Sequence, residues 1–337
     1  MRDTRSASPP DPQYTRYAAR DSSRPWIHRR PRTSGISSPE ACHSPTRYIP
    51  AMYTASWRDV VRGDLFGPSP DPRDRPYRFV IRLALVVFRL FGFRFDVRGS
   101  EHVPTTGGAI ICSNHVSYFD FTYLGLGALP QHRLVRFMAK ASVFHHWFSG
   151  PFMRAMHHIP VDRKAGAAAF ESAVRALKDG EVVGVFPEAT ISTSFTVKDL
   201  KAGAARMAVD AGVPIIPAAV WGGHRIATKG HKDLRRRGVP VTVILGEPLV
   251  PEPGEKPQSV LRRTRAAMEA LLDEAQRTYP DRPDGDDDRW WQPAHLGGTA
   301  PTPEEAAADA AIRASGREEK VHTPGPLARV TKVLRRR

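Results

Sequence analysis

Cysteine is nearly absent: Cys42 and Cys112 are the only two in 337 residues. Two cysteines build neither a disulfide framework nor a cysteine-ligated zinc centre, so a reducing, cytosolic setting is expected. Long uninterrupted apolar runs are also missing, and the mean hydropathy of −0.39 excludes a bundle of membrane-spanning helices. No internal repeat is found. Acidic residues are in deficit, 35 against 50 Lys and Arg, which leaves a net charge of +15. So basic a chain should seek polyanions, with nucleic acid and anionic lipid as the first candidates.

The excess charge is unevenly placed. Residues 1–74 hold 12 basic and 8 acidic side chains, residues 75–280 hold 28 and 17, and residues 281–337 hold 10 of each. The first ~50 residues are rich in Pro, Ser and Arg, show no apolar period, and lack the apolar core of ~7–15 residues of a secretory signal; they are expected to be disordered. A more ordinary stretch begins at Met52, a candidate alternative start. Beyond residue 280 an acidic run at Asp284–Asp288 and a basic end at Arg335–Arg337 read as a linker tail with one short helix near 304–314. The expected organisation is an extension (1–74), a folded domain (75–280) and a low-complexity tail (281–337).

Inside the domain, strand-like runs lie at 95–98, 109–113, 134–139, 158–161, 182–186, 214–220 and 240–245. Helical periods lie between them at 119–128, 165–178 and 202–211, and a last one covers 258–277. Alternation of this kind indicates a single α/β domain with a mainly parallel central sheet flanked by helices. Ahead of it, residues 77–95 read YRFVIRLALVVFRLFGFRF. Arg78, Arg82 and Arg89 fall within about 40° of one another around a helix, a basic line beside a wide apolar arc. An Arg near the bilayer centre costs at least ~2.5 kcal/mol, which argues against a span. Two readings remain: an amphipathic helix lying in the lipid headgroup region, and a core helix whose Arg stripe faces water. The width of the apolar arc favours the membrane.

The stretch Ala109-Ile-Ile-Cys-Ser-Asn-His-Val-Ser-Tyr-Phe-Asp120 carries the chemistry. A buried strand ends at Ser113, and leaving a strand for a helix can bring His115 and Asp120 together. A carboxylate on one ring nitrogen holds the imidazole tautomer, and the other nitrogen can then act as a general base near neutral pH. No serine or cysteine nucleophile is needed if the substrate brings its own hydroxyl.

Three further blocks follow in order: His157-His158-Ile159-Pro160-Val161-Asp162-Arg163, then Phe186-Pro187-Glu188-Ala189-Thr190-Ile191-Ser192, then Val213-Pro214-Ile215-Ile216-Pro217. With Asn114-His115-Val-Ser117-Tyr-Phe-Asp120, the helix entry Lys201-x-Gly203-Ala204-Ala205 and Gly246-Glu247-Pro248, they resemble the PlsC-like glycerolipid acyltransferases, the 1-acylglycerol-3-phosphate acyltransferase family. The resemblance covers residues 75–277. It implies transfer of a fatty acyl group from acyl-CoA or acyl carrier protein to a hydroxyl of lysophosphatidic acid or a related glycerolipid, in phospholipid biosynthesis at the cytoplasmic face of the cell membrane. His115 and Asp120 would be catalytic, and no metal or other cofactor is implied. Arg163 would grip the acceptor phosphate, the alternative being a salt bridge with Asp162 or Glu188. Glu188 and Thr190 would belong to the acceptor site, the alternative being a polar turn. Lys140 and Lys201 are cations for phosphate or for the donor. Asn114 and Ser117 stand evenly between scaffold and substrate contact.

Three positions depart from the family pattern. His157 and Ala189 stand where glycine is usual, and Ile191 stands in place of an arginine expected on the acceptor phosphate. Either another cation, such as Arg206 or Arg225, substitutes, or the acceptor is a different lipid alcohol. The competing reading is a basic membrane-lipid-binding protein with degenerate, non-catalytic motifs. Nucleic-acid binding is not expected, since Arg235-Arg236-Arg237 is the only internal cluster and no aromatic residues interleave with it. The pairs His145-His146 and His157-His158 lack carboxylate partners at ligand spacing, so no metal site is expected from them.

Overall fold

The computed structural model describes Phe66, residues 71–162 and residues 166–322. The expectations for the N-terminal extension, Met52, Arg163 and the basic C-terminal end lie outside these residues. Seven strands form one sheet in the order β1-β9-β6-β2-β5-β3-β4. They are β1 (Arg94–Arg98), β2 (Ala109–Ser113), β3 (Val135–Lys140), β4 (Ile159–Val161), β5 (Val182–Val185), β6 (Ile215–Trp221) and β9 (Pro240–Leu245). Every pairing is parallel except β6 with β9, where the chain reverses direction. The two remaining strands, β7 (Ala227–Thr228) and β8 (His231–Lys232), make a small antiparallel pair.

Central strands in such a sheet are covered on both faces, so they read as continuous apolar runs. In β2 all five residues are buried. Ala109 and Ile111 face one core with Tyr123, Leu124, Val135 and Phe137, whereas Ile110 and Cys112 face the other with Ala173, Leu177, Met207 and Met268. The first face carries α1 (Arg75–Leu90) and α2 (Asp120–Ala128). The second carries α5 (Gly166–Lys178), α6 (Gly203–Ala211) and α7 (Pro257–Arg277). Gly184 on β5 is required by close approach, since a Cβ there would lie 2.5 Å from the Phe137 ring. Cys112 is a buried filler whose thiol burial pushes up to about 12.

Two short helices, α3 (Ala141–His145) and α4 (Ser149–Ala155), fall between β3 and β4. At five and seven residues they are too short to show an apolar period in sequence.

Helix α1 has two apolar sides, one packed on the domain and one exposed. Tyr77 is buried, and Val80, Ile81, Leu85 and Phe88 pack against the domain. Phe79, Leu83, Val87 and Leu90 are exposed and share an arc of about 80° on another side of the helix. The arginine line separates the two on one side, with Arg78 and Arg82 over the Phe66 ring. Among the described residues no helix is long and apolar enough to cross a membrane.

The boundary expected after residue 280 moves. Trp291 is 1% exposed and Ala300 5%, both within the core that also holds Trp221 and Tyr279. The segment read as the start of a tail is therefore strapped onto the domain. Helix α8 (Pro303–His322) follows and is longer than the 304–314 segment expected.

Candidate active site

The parallel strands end along one edge of the sheet, and the loops after β2 and β5 meet there. Asp120 begins α2, where the first turn favours an anion. Its Oδ2 accepts from the backbone N–H groups of Val116 and Ser117, both at 2.7 Å, and from His115 Nδ1 at 3.0 Å. Asp120 is fully buried, and its Oδ1 has no partner. Burial raises the carboxyl above its ordinary value, countered by the His115 bond and the two amides. With Nδ1 donating to Asp120, the imidazole lone pair lies on Nε2. The His115 side chain is 22% exposed and its ring stacks on Phe186 at 4.5 Å.

The loop after β5 holds the histidine by its main chain. Glu188 Oε1 accepts from the His115 N–H at 3.1 Å, and the Ser192 N–H donates to the His115 carbonyl at 2.7 Å. Burial pushes the Glu188 carboxyl up to about 8, and Oε2 has no partner. The family resemblance implies that His115 and Glu188 serve one site, and the structure adds that they bond directly.

Asn114 and Ser117 resolve to scaffold. Asn114 is fully buried; its Nδ2 donates to the Val220 carbonyl at 3.0 Å and its Oδ1 accepts from the Val220 N–H at 2.8 Å. Ser117, equally buried, bonds through Oγ to the carbonyls of Gly223 and Ala227. Both bond to backbone groups and are fully buried. Truncating Asn114 to alanine would orphan a buried N–H and a buried C=O, so Asn114→Ala should cost on the order of 2–4 kcal/mol of stability. Denaturant unfolding of the purified variant checks this, and KM of the folded fraction should barely move.

Beside Glu188 opens a groove of about 1080 Å³ whose walls include Thr190, Ile191, Lys198, Lys201 and Lys229. Glu188, Thr190 and Lys201 are thus brought together there. Lys140 is exposed at the end of β3 and does not line it. Ile191 is buried, and its carbonyl accepts from Lys229 Nζ at 2.9 Å. Lys198 Nζ donates to Thr190 Oγ1 at 2.6 Å. Sequence reasoning missed Lys198 and Lys229. The latter is 38 residues from Ile191 and arrives through the β7–β8 turn, so no local spacing marks it.

The two substitute cations considered from sequence are committed elsewhere. Arg225 is 4% exposed, bonds Asp281 at 2.5 Å and lies 4.4 Å over the Trp291 ring. Arg206 lies over Phe170. His157 and Ala189, which stand in place of glycines, both keep the left-handed backbone, with φ of 55° and 59°. A non-glycine residue there costs roughly 1–2 kcal/mol, so the turn is imposed by its surroundings. His158 is a buried acceptor for the Phe137 N–H, with its pKa lowered to about 3 by burial. No cluster of three metal-ligating side chains occurs among the described residues.

Comparison with known proteins places this geometry in context. Residues 94–221 match the Acyltransferase family. A 1-acyl-sn-glycerol-3-phosphate acyltransferase from Bacillus subtilis (strain 168) is 34% identical over 174 residues, covering 51% of this chain and 82% of that protein. One from Limnanthes alba is 33% identical over 163 residues, and the match spans about half of that protein's length (55%). The crystal structure of the 1-acyl-sn-glycerophosphate (LPA) acyltransferase PlsC from Thermotoga maritima shares the fold, with a TM-score of 0.52 at 22% identity over 66% of this chain and 89% of that one.

Proposed function

Since the chain belongs to the 1-acyl-sn-glycerol-3-phosphate acyltransferase family and is an acyltransferase of phospholipid biosynthesis, we propose that His115 is its general base and that its acceptor is lysophosphatidic acid. The observation that carries this is the His115–Asp120 pair, at 3.0 Å, beside a lysine-walled groove. Nε2 takes the proton of the acceptor hydroxyl as the oxygen attacks the thioester carbonyl. An O–C bond forms, the C–S bond breaks, and the thiol of coenzyme A or of the carrier protein leaves with the proton. Asp120 stabilises the transient imidazolium. No acyl-enzyme is needed.

Lys198, Lys201 and Lys229 provide the positive wall that the missing arginine at position 191 would otherwise supply. A charge-assisted bond to phosphate is worth about 1.5–3 kcal/mol. The test is thiol release from acyl-CoA with lysophosphatidic acid and, separately, with a monoacylglycerol. Lys198→Ala and Lys229→Ala should each raise KM for lysophosphatidic acid by about tenfold or more and leave the phosphate-free acceptor unaffected. Equal effects on both acceptors would remove the phosphate assignment. Absence of thiol release with every acceptor would leave a lipid-binding protein instead. Membrane attachment is peripheral, at the cytoplasmic face, through the exposed apolar side of α1 and its arginines.

A further inference from the structure

The α3–α4 corner carries a cluster of aromatic side chains that neither the sheet nor the reaction uses. Trp147 is 82% exposed, Phe148 60% and Phe152 43%. The rings touch each other, with centroids 5.7 Å apart for Trp147–Phe148 and 5.6 Å for Phe148–Phe152. Behind them Phe144, Met153 and Met156 are buried against Tyr77, Val80 and Ile81 of α1. The corner is therefore fixed to the same helix that exposes its second apolar side. It also leaves the sheet directly after Lys140, at the strand edge where His115 and Glu188 stand.

Charge identifies the occupant. Between Asp120 and Asp162 lie 41 consecutive residues without one acidic side chain, and residues 75–95 carry five arginines and again no acid. Exposed Trp and Phe contributed by two acid-free, basic stretches of chain have the composition of an interfacial seat on an anionic bilayer, where Trp prefers the headgroup level. We infer that the corner Trp147-Phe148-Phe152 is a second bilayer contact, inserted beside α1, that seats the catalytic edge at the lipid surface. This rests on the membrane reading above and extends it to a separate element.

The experiment uses the full chain with vesicles of phosphatidylcholine and phosphatidylglycerol in equal parts, with brominated acyl chains as quencher. Wild-type tryptophan emission should be quenched on binding, and the quenchable component should fall in Trp147→Ala. The triple variant Trp147→Ser, Phe148→Ser, Phe152→Ser should lose at least about tenfold in vesicle partitioning, whereas Val250→Ser, an exposed apolar residue elsewhere, should lose little. Pure phosphatidylcholine vesicles should bind weakly. Retained partitioning by the triple variant, or quenching undiminished in Trp147→Ala, overturns the inference. So does a Trp147 component already shielded from acrylamide without lipid, which would mean that another part of the chain, a second copy or a protein partner covers the corner. Thiol release with a short-chain acceptor below its micellar concentration should be unchanged in the triple variant. Its loss from wild type would count against the acyl-transfer reading alone, because vesicle quenching does not depend on turnover.

Discussion

Replacing His115 by alanine is expected to abolish acyl transfer and leave the fold intact. The ring is 22% exposed and, among the described residues, makes a single hydrogen bond, to Asp120, so its removal opens no cavity in the sheet. The two bonds that anchor this residue to the neighbouring loop run through its main chain, to Glu188 and from Ser192, and they survive truncation. What disappears is the only imidazole among the described residues in direct contact with the buried Asp120. General-base assistance is worth about 10²–10⁴ in rate, and among the described residues no second base bonds to that carboxylate. Thiol release by His115→Ala should therefore drop to within background, with an unchanged circular dichroism spectrum and a melting temperature within a few degrees of wild type (about 2–4 °C per kcal/mol at this size). Turnover above about one per cent of wild type would sink the mechanism.

Glu188→Gln should produce the largest pH-dependent change in stability. Burial pushes this carboxyl up from 4.5 to about 8 in the folded protein. Below pH 4.5 both folded and unfolded chains carry the neutral acid, so the variant and wild type should be alike. As pH rises toward 8 the unfolded chain releases its proton and the folded chain does not, so wild type loses stability through this window. Glutamine keeps an acceptor for the His115 N–H and has no proton to lose. At pH 8–9 Glu188→Gln should therefore be more stable by on the order of 3–4 kcal/mol, and near pH 4.5 by almost nothing. Denaturant titrations at both pH values check the sign. A variant that is less stable at pH 9 than wild type would show that the carboxylate is held ionised by its surroundings.

The parts that local pattern can encode were readable before the structure. Continuous apolar runs located β2, β5, β6 and β9 to within a residue or so, and the strand-to-helix turn from Ser113 to Asp120 announced the pairing of His115 with Asp120. What sequence left open depends on contacts distant in the chain. Arg225 looked like a spare cation; it is bonded to Asp281, 56 residues on. Residues 281–300 looked like a tail because their apolar side chains are sparse, yet one buried tryptophan, Trp291, holds the segment through a hydrogen bond from His224 Nε2 to its carbonyl at 2.9 Å. Helix α1 gave a correct basic line but could not reveal that its apolar arc is divided between core and exterior. Asn114 could not be assigned from the motif, since its partner is the main chain of Val220.

The grip of the β5 loop on His115 through main-chain atoms separates two things that side chains would have tied together. His115 is located by two carboxylates, Glu188 on its N–H and Asp120 on its ring, and by the Ser192 N–H on its carbonyl, whereas the groove next to it is lined by residues 190, 191, 198 and 229. Substitutions at those positions should alter the groove without displacing His115. On the proposed function, acceptor preference is therefore set by side chains other than the ones that hold His115 in place.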